Sequence, residues 1–230
     1  MDSMSVTFVT AFIDLRDECN SYRSPETRIQ FFNKLNATGI RLHVFVSQEH
    51  RDKIHVTNGI IETIELDELD TYHASPNGMP ETRATGKDTR NFLILMNSKI
   101  ELVIRALQSG KHSTNHYAWI DFNIFHVLSD SSSEQLKRLS TLAYPDRCIY
   151  FPGCWKPHVV WDVVNWRFCG GFFLGDTVSL CEMYRLHCIV YPTMQKLTWE
   201  VNTWGYLESL GWSCTWYPGD HNDSILNIPL

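Results

Sequence analysis

The chain has 230 residues, 43% of them hydrophobic, with a formal net charge of −6. That length can bury a core several layers deep in one domain spanning residues 1–230, and the acidic balance argues against a nucleic-acid partner while leaving room for a local basic pocket. The opening "MDSMSVTFVTAF" lacks the features of a secretory signal, and no run of about 18 apolar residues offers a membrane span, so a soluble, cytoplasmic chain is expected.

In chain order, "SVTFVTAF" (5–12) is β-branched and aromatic and reads as a buried first strand. A polar turn follows, then a helix over 25–35 with Ser24 as N-cap, Pro25 in the first turn and Gly39 beyond its end. "IRLHVFVS" (40–47) is a second strand, and β-α-β implies a parallel pair. "IIETIELDEL" (60–69) suggests a third strand before a turn-rich segment, 71–88, of a length that is usually functional or disordered. Apolar residues at 92, 93, 96, 100, 103, 104 and 107 predict one long helix over 91–108. "YAWIDFNIFHVL" reads as strand and turn, and Ser131 to Ala143 as a short exposed helix opened by a capping box. The last third alternates strand-like pieces ("RCIYFPG", "RFCGGFFLGD") with helices over 177–191 and 200–210. The expectation is an α/β chain, a mostly parallel mixed sheet flanked by helices, whose ligands sit at the carboxyl ends of its strands.

Asp121 falls at such an end. With Asn123 two residues on, a strand-end carboxylate can hold a divalent cation while Phe122 packs inward. A turn former or helix cap is the alternative. His126 reads either as a ligand or as a half-buried imidazole bonded to backbone. Seven cysteines without a CxxC pair suggest free thiols rather than a zinc knuckle or a disulfide framework. Most of the eight tryptophans lie in the C-terminal third, fit either for stacking on ligands or for an aromatic core.

"Asp121-Phe122-Asn123" resembles the DXD motif of GT-A glycosyltransferases, with Asn in place of the second acid. "NFLILMNSKIELV", "YAWIDFNIFHV", "FCGGFFLGD", "TWEVNTWGYLE" and "WYPGDHNDSIL" occur in the order and spacing of the HtrL/YibB-like family, which is similar to nucleotide-diphospho-sugar transferases. Viral members, such as those of large algal viruses that glycosylate their own capsids, look nearest. The resemblance implies a GT-A fold, a UDP- or GDP-sugar donor, a glycan or glycoprotein acceptor, and manganese or magnesium as cofactor.

Carried over by position, it makes Asp121 the metal and diphosphate anchor, with Asn123 and His221 as further ligands. Thr10, Ala11 and Phe12 would face base and ribose, with Asp14 or Arg16 nearby. Lys99 would meet a phosphate or the base, although a Lys at the surface is the commoner case. Asn97 shares that polar break in the helix, and Arg83, Lys87 and Arg90 would offer charge to a diphosphate or be solvated. The glycines of "CGGFFLGD" permit close backbone approach to donor sugar and acceptor, or mark a bulge. Glu200, between Trp199 and Trp204, would take the acceptor proton, its pKa raised by apolar rings, or serve only as charge at a helix N-terminus. Asp176 is the substitute. Two rivals remain: a non-catalytic carbohydrate-binding protein, and a metal-dependent phosphohydrolase.

Overall fold

The computed structural model describes residues 4–15 and 23–229. The first strand, β1 (Val6–Phe12), leads to α1 (Pro25–Ala37), whose Ser24 side chain accepts from the Thr27 amide. Pro25 supplies the fixed φ of the first helical turn, and Gly39, at φ +75°, takes the left-handed conformation that turns the chain into β2 (Leu42–Val46). Fully buried Phe32 and Leu35 hold α1 to the sheet, each contributing roughly 1.5–3 kcal/mol.

The third strand is shorter than its apolar pattern, because β3 (Gly59–Thr63) gives way to a 3-10 turn and the short α2 (Asp70–His73). The single helix expected over 91–108 is two, α3 (Arg90–Asn97) and α4 (Lys99–Gln108). Ser98 breaks them apart at φ −80°, ψ −4°, with its hydroxyl bonded back to the Ile94 carbonyl at 2.9 Å. Then come β4 (His116–Ile120), α5 (Ser132–Thr141), β5 (Ile149–Gly153), β6 (Phe172–Asp176), α6 (Thr177–Val190), α7 (Glu200–Ser209) and β7 (Thr215–Pro218).

The capping box expected at Ser131 does not form. Ser131 has helical backbone angles and no side-chain cap bond. Instead a remote carboxylate, Asp223, accepts from the Ser129 amide and from the Ser129 and Ser132 hydroxyls at 2.6–2.7 Å, fastening the C-terminal turn to the start of α5. The sequence pattern also missed β7, a four-residue edge strand ending in Pro218, where a missing N–H is tolerated.

The strands form one sheet in the order β3-β2-β1-β4-β6-β5-β7. All pairings are parallel except the two made by β6. Side chains alternate between two cores: Tyr117 and Trp119 pack with α3, α4, α6 and α7, whereas Ala118 and Ile120 pack with α1 and α5. The expected α/β class, a mostly parallel mixed sheet between helical layers, is the class observed. Among the described residues no helix is long and apolar enough to cross a membrane.

Candidate active site

Strands β1 and β4 end on the same side of the sheet, and the antiparallel β6 begins there, its Phe172 opposite Ile120. Asp121, the next residue, is tied to this edge through its amide, which donates to the Gly171 carbonyl at 3.0 Å. Its Oδ1 accepts from the Trp119 indole at 2.8 Å and lies 3.0 Å from Lys99 Nζ. Lys99 is 1% exposed. Its ammonium also meets Glu200 Oε1 at 2.8 Å and the Gly170 carbonyl at 2.9 Å, so its three protons face three oxygens. Burial alone would push this lysine's pKa down; the charges of Asp121 and Glu200 outweigh it and hold the pKa above the ordinary value.

The glycine pair serves this cluster. A Cβ on Gly170 would stand 2.1 Å from Glu200 Oε1 and 3.3 Å from Lys99 Nζ. The close approach expected for a ligand is thus made by the protein's own ion pair. A Cβ on Gly171 would meet Ile124 Cδ1 at 3.1 Å and Asp121 Oδ2 at 3.6 Å.

Above the cluster opens a cavity of about 850 Å³, bordered by Ala11, Phe12, Lys87, Asn123, His126 and His221 among others. Trp166 and Trp199 line it, Trp119 borders it from within the core, and Trp204 and Trp212 lie in the core away from it. Glu200 opens α7 as expected, but its surroundings are not purely apolar: an ammonium lies beside it, and of its two flanking tryptophans only Trp199 reaches the cavity. Phe122 packs inward, stacked between Phe12 at 4.7 Å and Phe32 at 4.4 Å. His126 bonds the Asn123 carbonyl through Nδ1 at 2.8 Å, and burial pushes its pKa down.

Other expected residues stand elsewhere. Asp176 is at the opposite end of the sheet, paired with His116, because β6 runs against its neighbours. Its two oxygens accept from the Ser179 and Cys148 amides at 2.7 and 2.8 Å, which makes it the N-cap of α6. Asn97 is buried and bonded to the Leu93 and Thr198 carbonyls and the Thr203 hydroxyl, clamping α3 to the segment before α7. Lys99, by contrast, is at the site, buried beneath the cavity rather than at the surface. Thr10 is buried within β1, Arg83 donates to the Pro80 carbonyl, and Arg90 braces the loop at Ser75 and Pro76. Asp14 groups with Glu49 and His50, their ligand atoms within 4.8 Å of one another. Lys87, by contrast, borders the cavity and lies over the Phe92 ring at 5.8 Å. Arg16 falls outside the described residues.

Two features at or near the wall had no sequence signal. Arg23 and Arg28 border the cavity from the start of α1, with no spacing that distinguishes them from solvated arginines. Cys154 and Cys169 bring their sulfurs to 3.7 Å, fifteen residues apart in sequence, and burial raises both thiol pKa values. His221, expected as a metal ligand, does border the cavity; it sits edge-on to Trp166, ring centroids 4.3 Å apart, with Nδ1 3.2 Å from Asp220 Oδ1.

No protein-family model matches the sequence, and no curated protein matches it either. Among solved structures, the chain is similar to Rv0371c of Mycobacterium tuberculosis H37Rv in complex with manganese, at 9% identity and a TM-score of 0.48, over 95% of this chain and 89% of that one. It is similar to a glycosyltransferase involved in glycosylating the major capsid of PBCV-1, at 12% identity and a TM-score of 0.48, over 94% and 81%. It is also similar to 4-diphosphocytidyl-2C-methyl-D-erythritol synthase from Anaerococcus prevotii DSM 20548, at 7% identity and a TM-score of 0.46, over 96% and 91%. Likenesses of this degree assign the chain to no family and to no activity.

Proposed function

We propose that this chain is a GT-A-type glycosyltransferase of the HtrL/YibB-like kind, moving a sugar from a UDP- or GDP-sugar to a hydroxyl of a glycan, with a viral or surface glycoprotein as the acceptor class. The observation that carries the proposal is the Lys99-bridged pair of acids, Asp121 and Glu200, on the floor of a tryptophan-walled cavity at the carboxyl ends of parallel strands. Its volume suits a sugar nucleotide.

The donor set fits a divalent ion. Among the described residues Asp121 Oδ2 accepts no hydrogen bond, and the Asn123 side chain makes no cap bond and borders the same cavity. Asp121 and Asn123 would hold manganese or magnesium, hard ions that take oxygen ligands and leave further positions to diphosphate oxygens and water. Such an ion supplies neutralising charge for the departing diphosphate. Glu200 Oε2 takes the proton of the acceptor hydroxyl as its oxygen bonds to the sugar's anomeric carbon and the bond to the diphosphate breaks, while Lys99 fixes Oε1. The tryptophans orient sugar faces and exclude water, and the 82–88 segment of the long loop borders the mouth as a lid would.

Incubation with a panel of sugar nucleotides tests this. Manganese-dependent release of nucleoside diphosphate, lost in Asp121→Asn, is the expected result. Because Lys99 already neutralises Asp121, a carbohydrate-binding protein without turnover is the second reading. Glycan affinity with no nucleotide release from any donor would establish it, and release of inorganic phosphate would point to a hydrolase.

A further inference from the structure

Cys154 follows β5, Cys169 precedes the glycine pair, and His221 stands in the turn after β7; the three segments meet on the rim of the cavity. One ligand atom from each lies within 4.8 Å of the others. The sulfurs are 3.7 Å apart. A tetrahedral ion with zinc-type bonds of ~2.3 Å to sulfur requires a sulfur–sulfur edge of ~3.8 Å, so the two thiols already stand at ligand spacing. Asp220 Oδ1, 3.2 Å from His221 Nδ1, orients the imidazole and leaves Nε2 as the ligand nitrogen, the carboxylate–histidine arrangement that commonly backs a metal-bound ring. Cys169 is buried, but Cys154 and His221 reach solvent, which gives an ion a way in and leaves a fourth position for water.

We propose that Cys154, Cys169 and His221 form a site for a thiophilic divalent ion of the zinc class, distinct from any ion at Asp121. Soft sulfur donors select such an ion over manganese or magnesium, which keeps the two sites chemically separate. The site also gives His221 a role other than the diphosphate ligand expected from the sequence. Both thiols lie 3.2 Å from one acceptor, the Gly219 carbonyl, and Cys154 Sγ is also 3.5 Å from Asp220 Oδ1. Binding replaces these weak thiol hydrogen bonds with two sulfur–metal bonds and releases two thiol protons to solvent. The ion then ties the C-terminal turn to the segment whose next residue, Gly170, offers its carbonyl to Lys99. It stiffens the cavity wall without touching the reacting atoms. No short Cys spacing announced it, because the ligands come from three separated segments.

The test uses the full chain, reduced, stripped with a chelator and titrated with Co²⁺. One thiolate-bound cobalt per chain, read from a thiolate-to-cobalt charge-transfer absorption that zinc abolishes and excess manganese does not, is the expected result. Cys154→Ser, at an exposed position that should leave the fold intact by circular dichroism, and His221→Ala should each weaken zinc binding by on the order of 100-fold. Cys181→Ser and Asp121→Asn should keep the full signal, so the outcome is independent of whether the chain transfers sugars. A fully reduced wild type that shows no charge-transfer band, or a Cys154→Ser protein with an unchanged one, would overturn the proposal.

Discussion

Lys99 Nζ lies 2.8 Å from Glu200 Oε1, and the same nitrogen is 3.0 Å from Asp121 Oδ1. One buried cation therefore fixes the spacing of two acids 79 positions apart in the chain, one behind a parallel strand and the other opening a helix. The bridge leaves one formal negative charge on the floor of the cavity, together with one carboxylate oxygen on each acid that makes no hydrogen bond among the described residues. Such a floor can accept a cation and a proton without the repulsion of two unshielded carboxylates.

Removing the ammonium should be felt first in stability. Lys99→Met leaves two acids without their counter-ion, one of them buried, and should lower the unfolding free energy by about 3–5 kcal/mol. Urea denaturation measures this. Adding Glu200→Gln should restore part of the loss, since one fewer buried charge is then unpaired. A single variant within about 1 kcal/mol of wild type would show that solvent already reaches the pair.

The glycines give a sharper contrast. Gly170→Ala drives a methyl into Glu200 Oε1 and should displace that carboxylate, reducing transfer on the order of 100-fold, the scale of a roughly 1 Å misplacement. Gly171→Ala needs only a small shift of Ile124 and should stay within about 10-fold. Parallel rate measurements decide it, and equal losses in the two variants would remove Glu200's position from the explanation.

Much of this arrangement was legible from residues alone. Ser24 and Pro25 marked the start of α1, Gly39 its exit, and the apolar run ending at Ile120 put Asp121 at a strand's carboxyl end, because these signals are local. What escaped depended on direction and on partners far away in sequence. "FFLGD" reads as a strand but does not reveal that it runs backwards, and that reversal alone carries Asp176 to the far side. Lys99 read as a phosphate or base contact or a surface residue, not as a bridge between acids, because its two acidic partners lie 22 and 101 positions away. Likewise the helix pattern over 91–108 could not show that Ser98 bonds backwards and separates two helices.

The choice between the two candidate bases follows from the same reversal. Glu200→Gln should slow transfer far more than it weakens donor binding, by about 100-fold or more, as expected for loss of a general base. Asp176→Ala should leave turnover unchanged below its melting temperature. It should instead destabilise the fold by about 1–3 kcal/mol, through a lost helix cap and an unpaired Cys148 amide. Kinetics and thermal melts on the two variants check both halves. A catalytic defect in Asp176→Ala with unaltered stability would contradict its structural assignment.

His187 supplies a prediction about pH. It is 2% exposed and stacked on Tyr191, and among the described residues neither of its ring nitrogens has a hydrogen-bond partner. Burial therefore lowers its pKa from 6.5 to about 4. In the unfolded chain the ring takes up its proton near pH 6.5, while in the folded protein it stays neutral until about pH 4. Protons bound to the unfolded state alone favour unfolding, so the stabilising contribution is complete above pH 6.5 and is lost as pH falls toward 4, by on the order of 3 kcal/mol. His187→Phe keeps a ring against Tyr191 and has nothing to protonate. Its unfolding free energy should lose correspondingly less between pH 7 and pH 4 than that of the wild type, as read by denaturant titrations at several pH values. Two profiles that fall in parallel would show that this imidazole is hydrated in the native state.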